Sequence, residues 1–308
     1  PESGGMNAAL QELLEQLDLE RIEDNIFRGY SPVERETRVF GGHVMAQALM
    51  AGCRTVGDDR LCHSFHAYFL LGGDPKAPIV YEVDRTRDGG SFTTRRIVAI
   101  QHGKPIFHME ASFHVKEEGW EHQFTPPEVP DPESLMPEEE RRAEQAKTLH
   151  PKIQHHFTRQ RPIEQREIDV FDELHPPKRE PYKNVWIRSN GTLPDDPKLH
   201  QCLLAYASDH SLMDTATLPH GISWMSGVMM GASLDHAMWF HHDFRLDDWL
   251  LYTHDAPVAA GARGFNRGLI YTREGKLIAS VVQEGLMRPR KRRAEREAGK
   301  KDGDKPQG

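Results

Sequence analysis

Leu10, Leu13, Leu14 and Leu17 fall on one face of residues 7–17, which predicts a short amphipathic helix. Residues 25–30 then read as a strand. Gly41-Gly42 precede residues 43–56, where apolar positions are too dense for a helix with a solvent face, so a buried helix is predicted there. Residues 64–71 and 79–84 are rich in aromatic and β-branched side chains, which is strand chemistry. Two further strands, 91–100 and 105–115, are joined by the turn sequence Gln101-His102-Gly103-Lys104. In the second of these, Phe107, Met109, Ala111, Phe113 and Val115 alternate with His108, Glu110, Ser112 and His114, so one face of the sheet is dry.

Residues 116–165 break the pattern. Proline and acidic residues dominate, and the segment reads as a linker, partly ordered at best, with one short helix around 137–147. Then the first pattern starts again. Residues 185–188 resemble 25–28, a second dense helix is predicted at 201–216, and 249–254 echo 79–84. Residues 234–240 echo 64–69 through a shared His-Ala at 66–67 and 236–237. The strands 263–272 and 277–286 repeat the hairpin, with Gly103-Lys104 recurring 172 positions on as Gly275-Lys276. Order, spacing and turn chemistry recur more than residue identity does, and duplication of one strand–helix–sheet unit explains all three. The expected division is a first half over 7–115, the linker 116–165, a second half over 166–288, and a charged, disordered tail over 289–308.

The 308 residues are ample for a large core, and 37% hydrophobic with 28% charged residues reads as soluble and globular. A net charge of -8 argues against a nucleic-acid partner. No apolar run reaches the length of a membrane span, and the first residues lack a secretory pattern; Pro1 to Gly5 read as an extension ahead of a native Met6 start. Cys53, Cys62 and Cys202 make no CxxC pair and no disulfide framework, so a cytoplasmic location is expected.

Common catalytic signatures are missing. Gly221-Ile222-Ser223 continues into Trp224-Met225 and is no nucleophile elbow, and neither a Walker A loop nor a GxGxxG run occurs. Of 18 histidines the densest group is His236, His241 and His242 with Asp235 and Asp243. It lacks the paired spacing of a metal site and reads as ordinary strand and rim histidines, so neither a metal nor a cofactor is expected.

Three polar residues sit where apolar ones belong or where a strand begins. Asp209 lies within the predicted helix 201–216 among Leu203, Leu204, Ala205, Ala207, Leu212 and Met213, where a carboxylate must be hydrogen-bonded, structurally or in service of chemistry. Gln283 shares the packing face of its strand with Leu277, Ala279 and Val281 and needs buried partners. Ser233 opens a strand and carries little meaning alone.

The stretches RVFGGHVMAQAL (38–49), YASDHSLMDTATLPHG (206–221), ASLDHAMWFHHDFRLDDWLLY (232–252), ARGFNRG (262–268) and SVVQEGLMR (280–288) resemble the acyl-CoA thioesterase II family. The likeness runs from about residue 10 to 288. It implies an α+β fold, a tandem double hotdog in which each half is a long helix wrapped by an antiparallel sheet, the sheets joining into one layer. It also implies hydrolysis of fatty acyl-CoA, with the family's Asp, Ser or Thr, and Gln falling on Asp209, Ser233 and Gln283. The residue types suit water activation, Asp209 as general base and Ser233 and Gln283 as hydrogen-bonding partners. A hotdog hydratase or dehydratase of acyl thioesters, or a non-catalytic acyl-CoA binding protein, is the alternative reading. Aligning the halves sets Met50 opposite Asp209 and Ala111 opposite Gln283, so one site per chain is expected. Arg95, Arg96, Arg263 and Arg267 are candidates for the CoA phosphates, with solvated or ion-paired roles equally open. Exposed sheet edges favour a homo-oligomer, a dimer or tetramer of double hotdogs.

Overall fold

A computed structural model describes residues 5–32 and 38–290. Helix α1 (Ala8–Leu17) is capped by Asn7, whose Oδ1 accepts from the Leu10 amide at 2.8 Å. Its Leu10, Leu13 and Leu17 are buried, each contributing roughly 1.5–3 kcal/mol. Strands β1 (Glu20–Glu23) and β2 (Ile26–Gly29) lead to α2 (Gly41–Cys53), whose residues 42–53 are all buried. Next come β3 (Arg60–Phe69), β4 (Ile79–Asp88), β5 (Phe92–Gln101) and β6 (Lys104–Val115). The β5–β6 turn puts His102 and Gly103 at φ 49° and 71°, the paired left-handed geometry of a tight hairpin.

Helices α3 (Glu138–Ala146) and α4 (Pro151–Thr158) and strand β7 (Ile163–Glu167) precede the second unit. That unit has β8 (Tyr182–Ser189), α5 (Pro197–Ser208), β9 (Met229–Ser233), β10 (Asp235–Phe240), β11 (Leu250–Ala260), β12 (Arg263–Thr272) and β13 (Leu277–Pro289). The order in the sheet is β1-β2-β4-β5-β6-β3-β10-β13-β12-β11-β8-β7, with β9 on β13. The halves mirror each other about the antiparallel β3–β10 seam, and α2 packs on α5 beneath the sheet.

The structure changes several expectations. The helix predicted at 201–216 starts earlier, at Pro197 behind the Asp196 cap, and stops at Ser208; Asp209 caps its C-terminus, and a 3-10 turn takes over at Met213–His220. Dense apolar residues run through both pieces, so composition hid the break. The helix predicted at 43–56 lies at Gly41–Cys53. Counting from the helix ends sets Arg54, the C-cap of α2, opposite Asp209, rather than Met50. The shared His-Ala dipeptides do not correspond in facing: His66 is exposed, whereas His236 is fully buried across the seam from Ala67. A register offset of one residue sends a strand side chain to the other face.

Residues 116–165 are more ordered than their composition suggested. Trp186, Trp249, Leu251 and Tyr271 form an apolar cluster apart from the main core, and Val129 and Leu135 of the connector pack on it. Trp186 Nε1 donates to Pro130 O at 2.9 Å, and buried Glu138 accepts from Arg142 at 2.7 Å and from the Gln165 amide at 2.8 Å. The tail reading also shifts: β13 continues through Pro289, and the Arg290 amide donates to Val228 O at 2.8 Å. Residues 291–308 and 1–4 lie outside the described residues.

Candidate active site

Asp209, Ser233 and Gln283 come together although 74 and 50 positions separate Gln283 from the other two. One side chain joins them: Gln283 Nε2 donates to Asp209 Oδ1 at 2.9 Å and to Ser233 Oγ at 3.0 Å. Gln283 is completely buried within β13, and Asn266 opposite it on β12 donates from Nδ2 to the Gln283 carbonyl at 3.3 Å. The Asp209 side chain is 4% exposed. Ser233 ends β9, half-buried, with its hydroxyl donating to the Met213 sulfur at 3.4 Å.

Burial dominates the electrostatics of Asp209. Desolvation pushes its pKa from 3.8 up to about 7, against the opposing hydrogen bonds from Gln283 and the Gly42 backbone amide; Asp214 raises it further. Asp214 belongs to a buried ionic group in which Lys183 Nζ meets Glu167 at 3.2 Å and Asp214 at 3.6 Å. A carboxyl titrating near neutrality can both take and return a proton.

The N-terminus of α2 abuts this carboxyl. A Cβ at Gly41 would stand 3.0 Å from Asp209 Oδ2 and 2.9 Å from the Phe69 ring; one at Gly42 would stand 2.7 Å from the Tyr206 carbonyl. Only glycine lets the two helices meet here, and it leaves the positive end of the α2 dipole against the site. Phe40, Tyr206 and His210 pack beside it in edge-on and tilted pairs, with ring centroids 4.5–5.1 Å apart.

His236 was read from the sequence as a plain strand histidine, yet its Nδ1 lies 3.8 Å from Asp209 Oδ1. Burial drives its pKa down to about 3, so the ring is neutral and this contact is no ion pair. Nε2 is 2.9 Å from the Ser208 hydroxyl. His236 Nδ1 and Gln283 Oε1 are both buried, and their mutual contact, too loose for an ordinary hydrogen bond, is the only polar one either makes among the described residues besides the 3.8 Å approach to Asp209. A clue was available in the period-two burial of β10, which puts His236 on the inner face with Met238 and Phe240.

In the first half Ala111 lies on the buried face of β6 and Arg54, exposed, pairs with Asp18 at 2.9 Å, so no second trio forms at the matching ends. Among the described residues, no three His, Cys, Asp or Glu side chains are placed to hold a metal, and no helix is long and apolar enough to cross a membrane. The four arginines named for phosphates are not equivalent. Arg95 is buried and held by Asp88 and Thr55, Arg263 pairs with Glu284 at 3.2 Å, and Arg267 pairs with Asp255 at 2.8 Å. Arg96 lies in β5 opposite Asp84 and Glu110.

Comparison with known proteins places this architecture. The family described as "Acyl-CoA thioesterase" matches residues 152–286, and "Acyl-CoA thioesterase N-terminal domain" matches 31–114. Acyl-CoA thioesterase 2 of Haemophilus influenzae is 41% identical over 92% of this chain and 99% of its own length. Human acyl-coenzyme A thioesterase 8 is 38% identical, covering 88% of this chain and 87% of its own. The crystal structure of an acyl-CoA thioesterase II from Mycobacterium marinum superposes with a TM-score of 0.74 at 42% identity, covering 90% of this chain and 98% of the other. Two mirrored helix-and-sheet halves with that kinship define a thioester hydrolase of double hotdog build. The chain belongs to the acyl-CoA thioesterase family.

Proposed function

We propose that the chain cleaves fatty acyl-CoA to free acid and CoA by direct attack of a water molecule held between Asp209 and Ser233. The observation that carries this reading is the single Gln283 amide bonded to both of them. Asp209 takes a proton as the water oxygen bonds to the thioester carbonyl carbon. The negative charge that develops on the carbonyl oxygen is stabilised by the glycine-opened N-terminus of α2. The carbon–sulfur bond then breaks, and the proton on Asp209 passes to the departing thiolate. With its pKa near neutrality, Asp209 is matched to both transfers.

Water attack is favoured over a serine nucleophile because the Ser233 hydroxyl points to the Met213 sulfur and has no histidine hydrogen-bonded to it among the described residues. Thiol release from a long-chain acyl-CoA tests the reading. Asp209→Asn should keep its circular dichroism spectrum and lose nearly all turnover, while Ser233→Ala should retain a measurable rate. A folded Asp209→Asn with near-normal turnover removes Asp209 from the chemistry, and trapping of an acyl-enzyme on Ser233 overturns water attack.

A further inference from the structure

A cavity of about 830 Å³ opens between the connector helices, the tip of α1 and the loop after β8, and nothing in the trio chemistry uses it. Six arginines line it, and four are ion-paired within the protein, two of them to the same carboxylate, Glu164. Arg142 is bound by Glu138 at 2.7 Å, Arg166 by Glu164 at 2.7 Å, Arg188 by Glu164 at 3.2 Å, and Arg245 by Asp247 at 2.9 Å. Their acidic partners are thereby spent. The other two lining carboxylates, Glu139 and Asp248, are exposed at the rim.

Arg159 and Arg161 are different. Neither has an ion pair or a side-chain hydrogen bond among the described residues, and Arg161 Nε is sealed from solvent with no partner at all. A guanidinium stays protonated in proteins, and the one carboxylate that acts on Arg161, Glu138, is already bound by Arg142 and the Gln165 amide, so its burial is a standing cost. That burial, with Arg142 nearby, draws the Arg161 pKa down to about 10. The position of Arg161 is fixed independently of its side chain, because its carbonyl accepts from Asn7 at 2.9 Å and from Asn190 at 2.8 Å. The lining residues Ser189, Arg245 and Asp247 are hydrogen-bonded to Leu193 and Leu246, and Leu246 in turn to His200, around the start of α5, whereas Asp209 caps its other end. The twelve residues of that helix span about 18 Å, a distance for a long flexible arm that starts at the catalytic carboxyl.

We propose that this cavity is the subsite for the phosphate-bearing nucleotide end of CoA, with Arg161 and Arg159 forming the fork that takes a phosphate. The proposal rests on the hydrolase reading above and extends it from the thioester to the other end of the substrate. Coenzyme A joins an uncharged pantetheine arm to phosphates on a nucleotide, which is the chemistry that two uncompensated guanidiniums in a polar cavity recognise. The arginines first suggested by sequence are committed elsewhere in three of four cases, whereas these two are not.

The test compares two substrates sharing one acyl group, an acyl-CoA and the S-acyl-N-acetylcysteamine thioester, which has no phosphate. For Arg161→Gln the KM for acyl-CoA should rise roughly 10- to 100-fold, the loss expected for a charge-assisted contact, with kcat within about twofold. The KM for the N-acetylcysteamine thioester should stay at the wild-type value. Arg161→Lys, which keeps the charge without the fork, should recover part of the affinity. Titration of CoA into folded Asp209→Asn reports the cavity separately from the chemistry: binding there, weakened by a second Arg161→Gln change, supports the subsite whichever residue is the base. The phosphate could instead belong to a free nucleotide acting as an effector. Adenosine 3′,5′-bisphosphate distinguishes the two, since competition with acyl-CoA supports the proposal and non-competitive binding overturns it. Unchanged KM and CoA affinity in Arg161→Gln, or equal losses with both thioesters, also overturn it.

Discussion

Asp209 is held as a carboxyl in surroundings that oppose its charge, and this gives a stability signature with a definite sign. Its folded pKa, about 7, lies above the unfolded value of 3.8. The folded chain therefore retains a proton that the unfolded chain has released between those values. The group's stabilising contribution is full below 3.8 and is lost as pH rises through about 7. A shift of that size corresponds to a difference on the order of 4 kcal/mol. Asp209→Asn, which cannot ionise, should melt higher than the parent near pH 8 and show little gain near pH 4, while turnover drops roughly 10²–10⁴-fold. Calorimetry at both pH values and a thiol-release assay read the two effects. In the unaltered chain kcat/KM should climb as pH passes through about 7, where the base ionises; a flat profile from pH 5 to 8 would assign the base elsewhere. His236 adds a second prediction. Its ring acts on the Gln283 side chain, so His236→Phe should lower kcat by misdirecting the amide, with less effect on KM. A fall in melting temperature with normal kcat would make His236 merely a packing residue.

At the scale of elements, the meeting of α2 and α5 decides the site. Gly42→Ala would drive a Cβ into the Tyr206 carbonyl, which is backbone and cannot swing away. Urea denaturation should show a loss of about 1–3 kcal/mol, the usual cost of overpacking. Gly41→Ala meets Phe69 and the Asp209 carboxyl, both side chains, so activity should fall further than stability. The sequence displayed these elements unevenly. The hairpins were legible because strand alternation and turn residues act locally, and Gln283 was legible as a polar residue on a dry face. Asp209 was visible as an anomaly, but its place was not: apolar residues pass through the helix end into the following 3-10 turn, and a pattern of burial does not record where backbone hydrogen bonding changes. His236 was obscured by an echo with His66 that points the opposite way, since facing depends on a register settled only when β3 and β10 pair. The connector was misjudged for a similar reason. Its own composition offers little to bury, and its order comes from a tryptophan-rich surface contributed by another part of the chain.

Across the whole molecule, the seam between β3 and β10 makes the halves interdependent. Either half alone would expose that strand as an open edge and one side of the α2–α5 contact. Residues 5–115 and 116–290, produced separately, should each fail to give a cooperative melting transition, whereas mixing them from denaturant should restore one, with thioesterase activity. A cooperative transition from either fragment alone would show that the halves are self-sufficient. The outer ends of the sheet are different: β1 and β7 are only 4 and 5 residues long and carry charges along them, a form that resists edge pairing. Association between copies, expected from exposed edges, would have to use other surfaces.

The duplication has one more consequence. Two identical subunits around a twofold axis must accept every substitution twice, so any change that sharpens one catalytic corner is copied into the other. Joining the units in one chain lifts that obligation. The first half carries Ala111 on the strand face where the second carries Gln283, and an exposed, ion-paired Arg54 at the helix end where the second buries an acid held by hydrogen bonds with no cation. Asp209 thus has no acidic counterpart at the matching helix end, and the cost of burying it falls on one half alone.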